Sequence, residues 1–174
     1  YADPYPGRFI TLAQLPMWDL DLAVEELHRA VKCGMNGIAI AFPQQFGYPD
    51  VCDPYWDPLW DAAQKTEMSV NFHIGSGGGQ GISFPAPWEG HNAVTRLSDG
   101  STRTISANIM VMSTILFSGI LERFPSLKIV SSESGLGWAP YLLEVADHQW
   151  EAQNLKERGS LKIKPSDYFH RQCY

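Results

Sequence analysis

Residues 69–81 read SVNFHIGSGGGQG. A short, mainly apolar run carries one imidazole, His73, and then breaks into five glycines among seven residues, Gly75 to Gly81. Such a run, closed abruptly by glycine, reads as a buried strand whose last side chains are delivered at a turn. The reading of His73 stays open among three possibilities. It is a metal ligand, a core histidine whose second nitrogen meets a backbone carbonyl, or the neighbour of a phosphate-cradling loop.

Working outward, the same kind of strand recurs with helices between. Arg8–Pro16, RFITLAQLP, is a short apolar run ended by proline. Asp19 is placed to cap a helix in which Ala23, Leu27, Ala30 and Val31 share one face, and Gly34 supplies the stop. Gly37–Phe42, GIAIAF, is continuously apolar, as a strand covered on both faces should be. Asp57-Pro58 predicts an N-cap and first-turn proline for a helix to about Thr66. After the strand at 69–74 comes a Gly/Pro-rich loop to about Gly100. A helix is then predicted from about Thr102 to Phe124, broken by Pro125. Leu127–Glu133 is a further strand, 138–155 a long helix, and Ile163–Tyr174 a polar tail. Strict alternation of strand and helix predicts one α/β domain with a parallel sheet and right-handed crossovers. Two architectures satisfy it: a doubly wound open sheet, or part of a (β/α)8 barrel.

In both architectures chemistry collects at the C-terminal ends of the strands. Those ends carry Gln14 and Pro16, Phe42 to Gln44, His73 and Glu133. Only His73 and Glu133 can do acid–base or metal work, and both precede glycine-rich turns, HIGSGGG and ESGLG. Glu133 closes an otherwise apolar strand; a buried carboxylate needs a partner, so it faces a solvated cleft, or pairs with a cation such as arginine. A phosphate cradle fits poorly. Gln80 stands where GxGxxG wants its last glycine, and no Gly-Lys-Ser/Thr follows. His28, His91, His148 and His170 read as solvated or structural. One histidine is not a zinc site, which wants three or four protein ligands.

Composition narrows the partners. The 174 residues are 44% hydrophobic, 12% aromatic and 18% charged, which is globular. A net charge of −6, with 13 scattered basic residues, excludes nucleic acid and anionic membranes as expected partners and leaves a small molecule. Cys33, Cys52 and Cys173 form no CxxC, so neither a disulfide framework nor a thiolate metal site is expected, and a reducing, cytoplasmic location is. Thr104–Leu121 holds 18 residues without a charge. Its three Ser, two Thr and one Asn favour a buried helix over a membrane span.

Three strings taken together resemble a known family. DPYWDPLWDAAQKTEMSVNFHIGSGG at 53–78, GILERFPSLKIVSSESGLGWAPYLLEVADHQW at 119–150 and KPSDYFHRQCY at 164–174 are similar to the amidohydrolase-related family, in its aminocarboxymuconate-semialdehyde decarboxylase-like branch. ERFPSLKIVSSESGLGWAP, 122–140, is the most specific piece. The resemblance implies a (β/α)8 barrel of the metal-dependent hydrolase type with a divalent metal, zinc or else manganese, at its C-terminal mouth. It implies that His73, at the end of the fifth strand, is a metal ligand. Glu133 matches the end of the sixth strand, near metal and substrate, where the decarboxylases often carry histidine. Nothing in 1–16 matches the family's paired ligands on strand one, and the aspartate of strand eight lies beyond the match. About strands three to six are therefore expected here, and the chain reads as incomplete.

The function implied is a hydrolase or non-oxidative decarboxylase acting on a small carboxylated cyclic or aromatic compound. Glu133 would be catalytic; Gly75 and Ser76 would line the pocket, and Phe84 and Trp88 in the loop at 81–94 would stack on a ring. The rival expectation is a catalytically incomplete barrel fragment that acts as a structural or binding unit. Its open edges would pair with other segments or with a second copy in a homo-oligomer.

Overall fold

The structure is a computed structural model that describes residues 2–73, 75, 90, 92–159 and 161–174. Its centre is a four-stranded parallel sheet, β1 (Leu12–Gln14), β2 (Gly37–Ile40), β3 (Ser69–His73) and β4 (Lys128–Ser132), in the order β1-β2-β3-β4. Each strand lies beside its predecessor in sequence, and the order never reverses. The chain end continues the series: Cys173 bridges Ile129 in parallel, and Tyr174 exchanges backbone hydrogen bonds with Ile129 and Ser131 (2.9 and 3.0 Å).

Helices α1 (Leu20–Lys32), α2 (Asp57–Lys65), α3 (Ala93–Phe117), α4 (Ile120–Arg123), α5 (Trp138–Ala152) and α6 (Pro165–Gln172) connect and cover the strands. The core is continuous from sheet to helices. Ile38, Val70, Phe72 and Ile129 are buried with Leu27 of α1, Leu59 and Trp60 of α2, and Val111, Ile115 and Leu116 of α3. Phe42 and Phe72 meet edge to face at 5.4 Å.

The α1 signals act as read: the Asp19 side chain accepts the Leu22 N–H (3.0 Å), and Gly34 follows the helix at φ 76°. Elsewhere the boundaries move. Only Leu12–Gln14 of the predicted first strand pairs, because it is an edge, and Phe9 and Ile10 are exposed. Asp57 lies inside α2, and Asp53 instead caps the Tyr55 N–H (2.8 Å) of a 3-10 turn that runs into the helix. Helix α3 starts at Ala93, capped by Asn92 onto Thr95 (3.0 Å), so its first turns occupy what the polar sequence predicts as loop. Those turns face solvent, so they carry no apolar periodicity. Gly119, at φ 76°, breaks the helix well before Pro125. No helix among the described residues is long and apolar enough to cross a membrane. The predicted polar tail forms α6, whose buried Tyr168 and Gln172 fasten it to the loop after α4. Gln172 Nε2 donates to Phe124 O (2.8 Å) and Leu127 O (3.1 Å).

Candidate active site

Parallel register decides what meets at the strand ends. Phe72 pairs with Ser131 and His73 with Ser132, so the residue after β4, Glu133, stands beside the last residue of β3. His73 Nε2 and Glu133 Oε2 are 2.7 Å apart, although the residues are 60 positions apart in sequence. An ionised carboxylate only accepts, so the imidazole N–H donates. Both side chains are open to solvent, at 59% and 69% exposure, so this contact contributes little to stability and leaves both groups accessible. The side-chain partner of Glu133 is therefore an imidazole, not the arginine that the sequence offered as one possibility.

Glu133 is held in an uncommon backbone state. Its φ is 57°, the left-handed region that costs a non-glycine residue about 1–2 kcal/mol. The next residue, Ser134, is buried, and its Oγ shares a 2.6 Å hydrogen bond with Ser131 Oγ. Trp138 Nε1, at the start of α5, donates to Ser134 O (3.0 Å). The turn around Glu133 is thus tied down on both sides of the strained residue, a pattern common at functional sites.

Beneath the pair lies Asn108 of α3, fully buried on a helix face it shares with Met112 and Ile115. Its Nδ2 donates to Phe72 O (3.2 Å) and to Ser131 Oγ (3.1 Å), while Oδ1 has no hydrogen-bond partner among the described residues. An unmatched buried acceptor costs roughly 1–3 kcal/mol. His73 also lines a cavity of about 800 Å3 over the ends of β1 and β2. Gln14, Ala39 and Ile40 are among the residues that line it, and Trp18, Phe46 and Tyr48 supply aromatic rings.

Of the predicted site residues, His73 and Glu133 meet. Gly75 has φ 81°, a backbone state that favours glycine, and Thr104 Cγ2 lies 3.8 Å from where a Cβ would stand. Ser76, Phe84, Trp88 and His91 lie outside the described residues. His28, His148 and His170 are exposed on helices. An imidazole nitrogen and a carboxylate oxygen side by side are the donor types that zinc and manganese accept. They fit as two members of a ligand set. Among the described residues no group of three or more His, Cys, Asp or Glu side chains comes together.

The amidohydrolase family model matches residues 1–171. The chain belongs to the amidohydrolase family. Among curated relatives, this amidohydrolase chain is 29% identical over 182 residues to gamma-resorcylate decarboxylase from Polaromonas sp., covering 97% of this chain and 51% of the relative. It is 26% identical over 152 residues to 2-amino-3-carboxymuconate-6-semialdehyde decarboxylase from Dictyostelium discoideum, covering 85% and 38%. Among solved structures it superposes on dihydroxybenzoic acid decarboxylase from Polaromonas sp., determined with bound manganese and the inhibitor 2-nitroresorcinol. The TM-score is 0.64 at 25% identity, over 99% of this chain and 52% of that one. The amidohydrolase chain spans about half the length of the gamma-resorcylate decarboxylases it matches.

The sequence reading missed Asn108, Ser134, Trp18, Phe46 and Tyr48. Asn108 was legible, being an amide four residues before Met112 and seven before Ile115 on an apolar helix face. The three aromatics come from loops, where no periodicity marks them.

Proposed function

We propose that the protein carrying this chain is a metal-dependent, non-oxidative decarboxylase of a small aromatic carboxylate of the gamma-resorcylate type, built on a (β/α)8 barrel. The observation that carries the proposal is the 2.7 Å meeting of His73 and Glu133 at the C-terminal ends of adjacent parallel strands, with His73 also facing the cavity. The barrel reading is supported by the unreversed strand order, because doubly wound sheets reverse direction at a switch point. The relatives favour decarboxylation over hydrolysis.

In the reaction the bond between ring carbon and carboxylate breaks, carbon dioxide leaves, and the ring carbon takes a proton. His73 would help hold the metal, manganese or zinc, its Nε2 giving up the N–H that now meets Glu133 Oε2, and Glu133 would hold and deliver the proton. A bound divalent metal supplies positive charge against the anionic oxygens of the substrate. Trp18, Phe46 and Tyr48 would hold the ring and keep bulk water from it.

The test is carbon dioxide release from gamma-resorcylate by the full-length protein, with metal content measured alongside. His73→Ala should lower both kcat/KM and metal occupancy at least about 100-fold, more than the loss of an outer-shell partner does. Wild-type activity in that variant would sink the proposal.

A further inference from the structure

Asn108 is the one fully buried polar side chain among the described residues that reaches both site strands. It anchors the carbonyl of Phe72, the residue immediately before His73, and the hydroxyl of Ser131, two residues before Glu133. Ser131 passes the constraint on: its hydroxyl is hydrogen bonded to Ser134 Oγ, on the far side of Glu133 from β4. One amide on α3 therefore fixes where β3 ends, and through two serines it fixes the turn that keeps Glu133 left-handed. Nothing in packing requires an amide here, since its helix-face neighbours Met112 and Ile115 are apolar and its own Oδ1 goes unmatched among the described residues. A side chain that leaves its acceptor unpaired while placing both donors on site strands is kept for those donors.

We infer that Asn108, acting through Ser131 and Ser134, is a positioning residue that sets the separation of His73 and Glu133. The inference rests on the reading of those two residues as the active pair. It assigns the helix a part in the site that no strand-end residue reveals. The effect of Asn108 is carried by strand-end geometry, through Phe72 O and Ser131 Oγ.

The experiment compares Ser131→Thr with Ser131→Val in the full-length protein. The two replacements have nearly the same shape and differ by the hydroxyl that joins Asn108 to Ser134. Metal-free crystal structures read the geometry directly, and manganese titration reads its consequence. The threonine variant should keep the His73–Glu133 hydrogen bond and bind manganese as wild type does. The valine variant should lose the contact and weaken manganese binding about 10- to 100-fold, as removal of an outer-shell partner does. A valine structure that keeps the contact at its wild-type length overturns the inference. If the valine variant loses the contact while even the wild-type protein binds no manganese, the positioning role stands and the metal reading falls. Should Ser131→Val fail to fold, Ser134→Ala breaks the same relay one step later, with the same two outcomes.

Discussion

Gly37 lies directly against Ser69 where β2 pairs with β3, and a Cβ on Gly37 would stand 2.3 Å from Ser69 Oγ and 2.8 Å from Ser69 O. A serine hydroxyl can rotate away, but a backbone carbonyl in a sheet cannot. Asn71 crowds the same place, its Nδ2 lying 2.8 Å from that Cβ while bonded to Ile38 O and Ser69 O. Gly37→Ala should therefore destabilise by about 1–3 kcal/mol, the cost of overpacking, against the usual gain from removing a strand glycine. Urea denaturation checks the sign; a stabilised variant would show that β2 and β3 can part without penalty.

The clasp between α4 and α6 predicts stability loss at both ends of the pH scale. The Lys162 ammonium (2.6 Å) and the Tyr168 hydroxyl hold the Glu122 carboxyl below its ordinary value of 4.5. A carboxyl with a depressed folded value adds stability above the unfolded value and loses it as pH falls through the folded one. Burial, with the Glu122 carboxylate beside it, pushes the Tyr168 phenol up to about 12. That contribution is complete below pH 10 and fades as pH rises toward 12. Glu122→Gln should flatten the acid limb of a stability profile, and Tyr168→Phe the alkaline limb. Unchanged limbs in both variants would mean that the clasp carries no linkage.

How much of this was legible beforehand follows from what each residue interacts with. β2 was visible because burial on both faces forces an unbroken apolar run, GIAIAF, whereas β3 and β4 were read from the shorter apolar stretches around Val70 and Phe72 and in LKIV. The start of α3 was not, because its first turns lie in solvent and their stability comes from the Asn92 cap rather than from a stripe. His73 and Glu133 could be ranked from their strand-end positions, but their contact depends on the β3–β4 register, which local sequence does not encode. Asn108 shows the converse: its helical spacing was readable, yet its partners lie 36 and 23 residues away.

On the role proposed for Glu133, its left-handed backbone sets stability against activity. Glycine visits φ 57° without steric cost, whereas alanine retains the Cβ that makes it costly. Glu133→Gly should thus be more stable than Glu133→Ala by about 1 kcal/mol, while on the proposed function both lose decarboxylation. Thermal unfolding ranks the pair. Equal stabilities would mean that the turn relaxes out of the left-handed state once the carboxylate is gone.

The proposed ring-binding wall is a point that the described residues extend beyond the sequence expectation. The sequence reading gave ring stacking to Phe84 and Trp88, which lie outside the described residues, whereas the cavity at His73 has rings of its own in Trp18, Phe46 and Tyr48. Trp18 is 67% exposed, so its truncation removes a wall without opening the core. A ring held equally in the ground and transition states contributes to binding and not to the chemical step. On the proposed function, Trp18→Ala should therefore raise KM for gamma-resorcylate about tenfold, equivalent to about 1.4 kcal/mol of stacking and burial, with kcat nearly unchanged. A fall in kcat at constant KM would instead place Trp18 in contact with the reacting carboxylate and move the ring elsewhere in the cavity.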